Sequence, residues 1–184
     1  MTDEALMGVK MRRVIFVFVG MAFSCLSVTG DLSEGAPEGR VYSYKKEGGV
    51  AHEIEIHFPK DHDRNKPVPG IIMFHGGGWS KGDRISFRYL CHYFASRGLV
   101  AATANYRLGK GKRLCITDAK SAMRLYKQNA AKLVVDPKRI VTGGGSAGGH
   151  IALLATTNPG LNDPNDAKEY DTSGVAYLLF NLAL

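Results

Sequence analysis

"RIVTGGGSAGGHIALLA", residues 139–155, decides how this chain folds. The apolar, β-branched run from Ile140 to Thr142 reads as a buried strand. Three glycines and one serine follow, and then a helix-forming run from Ala147 to Ala155. Gly144-x-Ser146-x-Gly148 at a strand-to-helix junction has the pattern of a nucleophile elbow. On such a sharp turn the hydroxyl stands clear of the sheet, and the starting helix directs backbone N–H groups at the same point. Ser146 is the candidate nucleophile, and the N–H of Ala147 a candidate donor to a developing oxyanion.

A second motif lies upstream in "VPGIIMFHGGGWSKG", residues 68–82. A continuous apolar run opens into three successive glycines, which let the backbone approach a ligand and present its N–H groups to negative charge. The glycines alone would suit a packed turn or a phosphate equally well. No G-x-x-x-x-G-K-[ST] occurs, so these are not P-loops. Both motifs, in this order and each ending a buried strand, point to acyl-transfer chemistry with no metal and no cofactor.

The remaining pattern is a hairpin followed by alternating strands and helices. "VYSYKK" (41–46) and "VAHEIEIHF" (50–58) flank the turn signal "EGG", with Ile54, Ile56 and Phe58 on one parity. Helical spacing runs over Ile85–Arg97, closed by Gly98 as a left-handed cap residue. "LVAATANY" (99–106) is the next buried strand. A helix over 118–132 takes Asp118 as its N-cap, "VVDPKR" is a turn on Asp136-Pro137, and "GVAYLLFNL" is a last strand. The fold class is α/β: a mostly parallel sheet with an N-terminal antiparallel hairpin and helices on both faces.

With these segments in hand the chain resembles the α/β-hydrolase serine esterases and lipases of the hormone-sensitive-lipase-like and carboxylesterase type. "HGGGW", "ASRGLVAATANYRL" and "GGGSAGGHIALLAT" carry the resemblance, which runs from about Val41 to Leu184. It implies Ser146 as nucleophile and the N–H groups of Ala147, Gly77 and Gly78 as oxyanion hole. Which two of Gly76, Gly77 and Gly78 contribute stays open. His75 would shape that loop. The implied substrates are small-molecule or carbohydrate esters.

The family's triad follows the order serine, acid, histidine. After Ser146 the only histidine is His150, on the helix that Ser146 starts, where a packing role is expected. Asp163, Asp166, Glu169 and Asp171 fall too early for the triad acid and read as a solvated loop. His52 and His57 lie in the hairpin, His62 in a polar loop and His92 on the first crossover helix. No triad acid or histidine is therefore expected in this chain. The expectation is a C-terminally truncated domain over residues 31–184, lacking the last strands and helix. It would be inactive or very weak alone, with an apolar edge strand that favours aggregation. Two alternatives stand beside the esterase: a non-catalytic remnant of an esterase gene, and an amidase or peptidase of the same fold.

The amino-terminal segment "MRRVIFVFVGMAFSCLSVTGD" (11–31) has two arginines, an apolar run to Phe23 and then small residues. It reads as a signal peptide over residues 1–30, with Met11 as an alternative start, and implies export to the periplasm or beyond. The run is shorter than the roughly 20 residues a spanning helix needs, so no integral membrane domain is expected, although an uncleaved segment would anchor the chain. The net charge of +7 is scattered. Its densest cluster, "RLGKGKR" (107–113), lacks interleaved aromatics and reads as a solvated loop, which argues against nucleic acid. Cys91 and Cys115 fall on helices covering opposite faces of the sheet and are expected as free thiols. Oligomeric state is not legible.

Overall fold

A computed structural model describes residues 37–182. The signal-peptide segment and Cys25 lie outside the described residues. The hairpin is β1 (Arg40–Glu47) and β2 (Val50–His57), followed by β3 (Val68–Phe74), β4 (Val100–Ala104), β5 (Val135–Gly145) and β6 (Ala176–Phe180). The helices are α1 (Arg88–Ser96), α2 (Lys112–Gln128), the single turn α3 (Ala130–Leu133) and α4 (Ala147–Thr157). The six strands form one sheet in the order β1-β2-β4-β3-β5-β6. β2 pairs antiparallel with β1 and β4, and all other pairs are parallel. This is the expected partial α/β-hydrolase sheet. Among the described residues no helix is long and apolar enough to cross a membrane.

Alternation along the strands divides the core between the two faces of the sheet. Ile54, Ile72, Phe74, Ala102 and Ile140 pack with α2 and α4, where Met123, Tyr126 and Ile151 come from the helices. Ile71, Met73 and Ala101 point to the other face and meet Cys91 of α1. Cys91 and Cys115 are buried free thiols in these two separate clusters, as the sequence implied. Burial pushes the Cys115 thiol up to about 11, so it stays protonated.

Several boundaries differ from the sequence reading for identifiable reasons. The segment after Asp83 begins as a 3-10 turn, Arg84–Phe87, capped by Asp83 Oδ1 accepting from Ile85 N at 2.9 Å, and turns into α1 at Arg88. Gly98 closes α1 at φ 87°, as expected. Asp118 is not an N-cap. α2 begins six residues earlier at Lys112, and Asp118 sits fully buried on its polar side. There it accepts from Arg107 Nη2 at 2.7 Å and from Lys45 Nζ at 3.0 Å. The Asp136-Pro137 turn is a bulge inside β5: Val135 pairs with Val68 and Ile140 with Gly70, so residues 136–139 stand out of the ladder.

Residues 158–175, of which 158–174 read as a solvated loop, are instead a strap buttoned to α2. Lys120 is buried, and its Nζ donates to the carbonyls of Asn158 and Gly160 at 2.5 Å each. Arg124 bonds Asp166 at 2.8 Å, Lys127 bonds Asp171 at 2.6 Å, and Lys45 of β1 reaches Asp163. Both sides of α2 are thus covered, one by the apolar core and the other by ionic contacts. The basic cluster 107–113 is likewise not simply solvated, because Arg107 is held on Asp118 and Lys112 stacks on Trp79.

Candidate active site

Ser146 sits between β5 and α4 at φ 51° and ψ −120°, a backbone conformation that a serine rarely adopts. Two contacts hold it there. Ser146 N donates to Phe180 O of β6 at 2.8 Å, and α4 approaches β3 so closely that a Cβ on Gly148 would overlap the carbonyl oxygens of Phe74 and His75. A glycine is required at 148 because nothing larger lets the helix start against the strand end. Serine at a helix N-cap ordinarily bonds a first-turn N–H. Here the side chain makes no such bond, and Ser146 is exposed. The hydroxyl is therefore free for chemistry, and the Ala147 N–H opens the helix where no intrahelical acceptor exists.

The loop after β3 lies alongside. A Cβ on Gly76 would come within 3.4 Å of the Ser146 Cβ, so this backbone passes directly beside the elbow. Gly77 at φ 111° turns the chain: its carbonyl accepts from Ser80 N at 3.2 Å and Lys81 N at 3.1 Å, and a side chain there would strike the Lys81 carbonyl. Gly78 follows in an exposed position at φ 61°. The structure thus brings Ser146 and Ala147 together with the glycine loop.

The loop is anchored by His75, as the resemblance implied, and by Tyr106 and Asn105, which sequence reasoning did not assign. The His75 ring is buried and stacks on Tyr106 at 4.3 Å, while Tyr106 Oη donates to His75 O at 2.7 Å. His75 Nδ1 lies 2.8 Å from Gly76 O, which commits that nitrogen as donor. Burial lowers the His75 pKa, only partly opposed by the bond to Gly76, so the ring is neutral. Asn105 ties the far end of the loop, donating to Asp83 Oδ2 at 3.2 Å and accepting from Arg84 N at 2.7 Å. "NYR" directly after β4 was the available signal, because a polar and an aromatic residue at a strand's C-terminal end face the site in a parallel sheet.

The histidines are placed much as the sequence implied. His150 packs its ring edge against Trp79 at 5.4 Å, and Lys112 Nζ lies 3.9 Å over the same indole. Burial, and then repulsion from Lys112, lower the His150 pKa. His57 bonds Glu55 at 3.0 Å, and His62 bonds Leu133 O at 3.0 Å. Among the described residues no histidine hydrogen-bonds Ser146. Nor do the described residues contain a group of three His, Cys, Asp or Glu side chains that would hold a metal ion.

Known proteins resemble this chain in sequence and fold. Residues 54–177 match the BD-FAE family model. A probable carboxylic ester hydrolase, LipM of Mycobacterium tuberculosis, is 31% identical over 121 residues, 64% of this chain and 28% of its own. Carboxylesterase NlhH of the same organism is 34% identical over 105 residues, 55% of this chain and 32% of its own. The solved esterase 2 of Thermogutta terrifontis is 40% identical with a TM-score of 0.76, over 80% of this chain and 57% of that one, in a form phosphoramylated by tabun. The chain spans about a third or less of the curated relatives and somewhat over half of the solved esterase. With the family match over two thirds of its length and the fold in agreement, the chain belongs to the BD-FAE family, among the α/β-hydrolases of esterase and lipase type.

Proposed function

We propose that this chain carries the nucleophile and oxyanion half of a carboxylic ester hydrolase. The observation that carries the reading is Ser146: exposed, uncapped, at φ 51°, with the Gly76 backbone beside it. Ser146 Oγ adds to the ester carbonyl carbon and its proton passes to a general base. The carbonyl oxygen takes the negative charge and is held by the N–H of Ala147 with those of Gly77 and Gly78. Collapse expels the alcohol, which takes up the proton from the base, and leaves an acyl group on Oγ. Water then repeats the attack and releases the acid.

We assign the base and its orienting carboxylate to polypeptide outside these 184 residues, since His150 is the sole histidine after Ser146 and packs on Trp79. Alone, the chain retains at most the roughly 10³–10⁴-fold acceleration over water that an oxyanion hole and binding supply. Solved forms of the Thermogutta esterase with bound propionate and butyrate favour short acyl groups. Export rests on residues 11–31 and is checked by sequencing the amino terminus of the natural protein.

The test is paraoxon treatment, followed by mass analysis of the peptide bearing residue 146, in the chain and in Ser146→Ala. That reagent phosphorylates the Thermogutta esterase. The expected result is a diethylphosphoryl group on Ser146 that is absent from the variant, together with p-nitrophenyl acetate turnover close to background. Label on other side chains of the folded chain with none on Ser146 would overturn the nucleophile assignment. Ester turnover no greater in the chain than in Ser146→Ala would favour the non-catalytic remnant, and faster turnover of an anilide than of the matching ester would favour the amidase.

A further inference from the structure

At the end of the sheet away from Ser146, a cavity of about 460 Å³ opens between β1, the segment after β2, and the end of α2 with α3. Its size falls within the range of small-molecule sites. β3 begins at this end and finishes at the elbow, so the seven-residue strand separates the two places by roughly 20 Å. The floor is apolar, made by Ile56, Phe58, Leu125 and Leu133. Around it stand Arg40, Lys60, Arg64 and Lys132, all exposed. None of the fourteen lining residues is acidic.

Five cations elsewhere, Lys45, Arg88, Arg107, Arg124 and Lys127, each meet a carboxylate, while others among the described residues, such as Lys46 and Lys138, stand singly on the surface. Among the described residues the four at this cavity form no salt bridge. Arg40 instead lies over the Phe58 ring at 5.1 Å, which places a guanidinium at the edge of the apolar floor. His62 also lines the cavity, with its ring 5.8 Å from Phe58. One of its nitrogens is committed to Leu133 O, and the other, Nδ1, is buried with no partner. Four unpaired cations on an apolar floor complement a molecule with one anionic end and a hydrocarbon body.

We propose that this cavity binds an amphiphilic carboxylate, such as a medium-chain acid, with its chain on Phe58 and Leu133 and its charge among Arg40, Lys60, Arg64 and Lys132. The site is independent of the ester chemistry at Ser146.

The experiment is calorimetric titration of the full chain with decanoate, beside the double variant Arg40→Glu/Lys132→Glu, its charge-keeping counterpart Arg40→Lys/Lys132→Arg, and Ser146→Ala. The expected result is saturable binding that weakens at least about tenfold in the charge-reversed variant and with added salt, and that persists in the other two. Thermal melting of each variant verifies that it is folded. The neutral 1-decanol is expected to bind far more weakly. Absence of saturable decanoate binding would overturn the proposal, as would binding that the charge reversal leaves unchanged. Charge-dependent binding to phosphatidylglycerol vesicles without binding of free decanoate would assign the cations to a lipid surface and also overturn it.

Discussion

The two faces of the sheet are built differently. On the side of α2 and α4 the apolar cluster takes in twenty-one buried side chains, whereas its counterpart on the side of α1 holds four, ringed by partly buried neighbours such as Phe94 and Leu178. α2 is enclosed by core on one side and by the 158–175 strap on the other. α1 is covered on one side only, and Tyr89 and Tyr93 remain about half exposed. The elbow depends on both faces. Its helix grips β3 through Gly148, while its Ser146 N–H is bonded to Phe180 of β6, which belongs to the thinner cluster. A nucleophile placed at such a seam needs β6 to be in place before its strained backbone is held.

The sharpest way to break this comparison is at the crowded seam. Gly148→Val would drive a branched Cβ into backbone oxygens of Phe74 and His75 that cannot retreat without unpairing β3. Overpacking against backbone exceeds the roughly 1–3 kcal/mol typical of core insertions, so no folded protein is expected, as read by circular dichroism and solubility. Next comes Asp118→Ala, on the enclosed side of α2. Removing this carboxylate leaves the Arg107 guanidinium and the Lys45 ammonium without their shared partner. A loss of about 3–5 kcal/mol in urea unfolding is expected. An effect below about 1 kcal/mol would mean that Asp163 and Glu47 suffice to hold the two cations.

Equal truncations on the two faces provide a direct contrast. Met123→Ala, in the large cluster at 1% exposure, is expected to cost about 2–5 kcal/mol. Phe94→Ala, half-exposed on α1, should cost less despite its greater size, about 1–2 kcal/mol, because part of the ring already meets water. A larger loss at Phe94 than at Met123 would reverse the ranking of the two faces.

The apolar half of this architecture was legible in the sequence. Ile71–Phe74 and Val100–Ala104 are continuous buried runs, and the glycines around Ser146 mark where backbone meets backbone, so the sheet and the elbow could be read directly. The ionic half was not. Asp118 has the composition of an N-cap and the position of one if the helix begins where its apolar stripe begins. Its partners Lys45 and Arg107 decide otherwise, and Lys45 lies far away along the chain. The acids of the strap were equally misleading. A run such as "NDPNDAKEYD" scans as solvated surface unless one knows that Lys45, Arg124 and Lys127 lie opposite it. Apolar periodicity is a local signal, whereas a charge is informative only once its partner's place in the fold is known.

Asp171 gives the smallest predicted effect and the one with the most specific signature. Burial alone would raise its carboxyl, but hydrogen bonds from Lys127 and Ser173 outweigh it and hold the pKa down to about 2. A group depressed in the folded state contributes stability above its unfolded pKa of about 3.9, and that contribution is lost as pH falls through the folded value. The strap should therefore weaken between about pH 4 and pH 2, joined by Asp163, whose pKa is also lowered in the fold. The Asp171 carboxylate is largely exposed, so at pH 7 Asp171→Asn should cost less than about 1 kcal/mol. The decisive measurement is the pH dependence of urea stability for wild type and Asp171→Asn, where the variant should lose less stability on acidification. Parallel curves would show that Lys127 and the strap stay together without this carboxylate, and that the enclosed face of α2 owes its cohesion to Lys120, Arg124 and the apolar core.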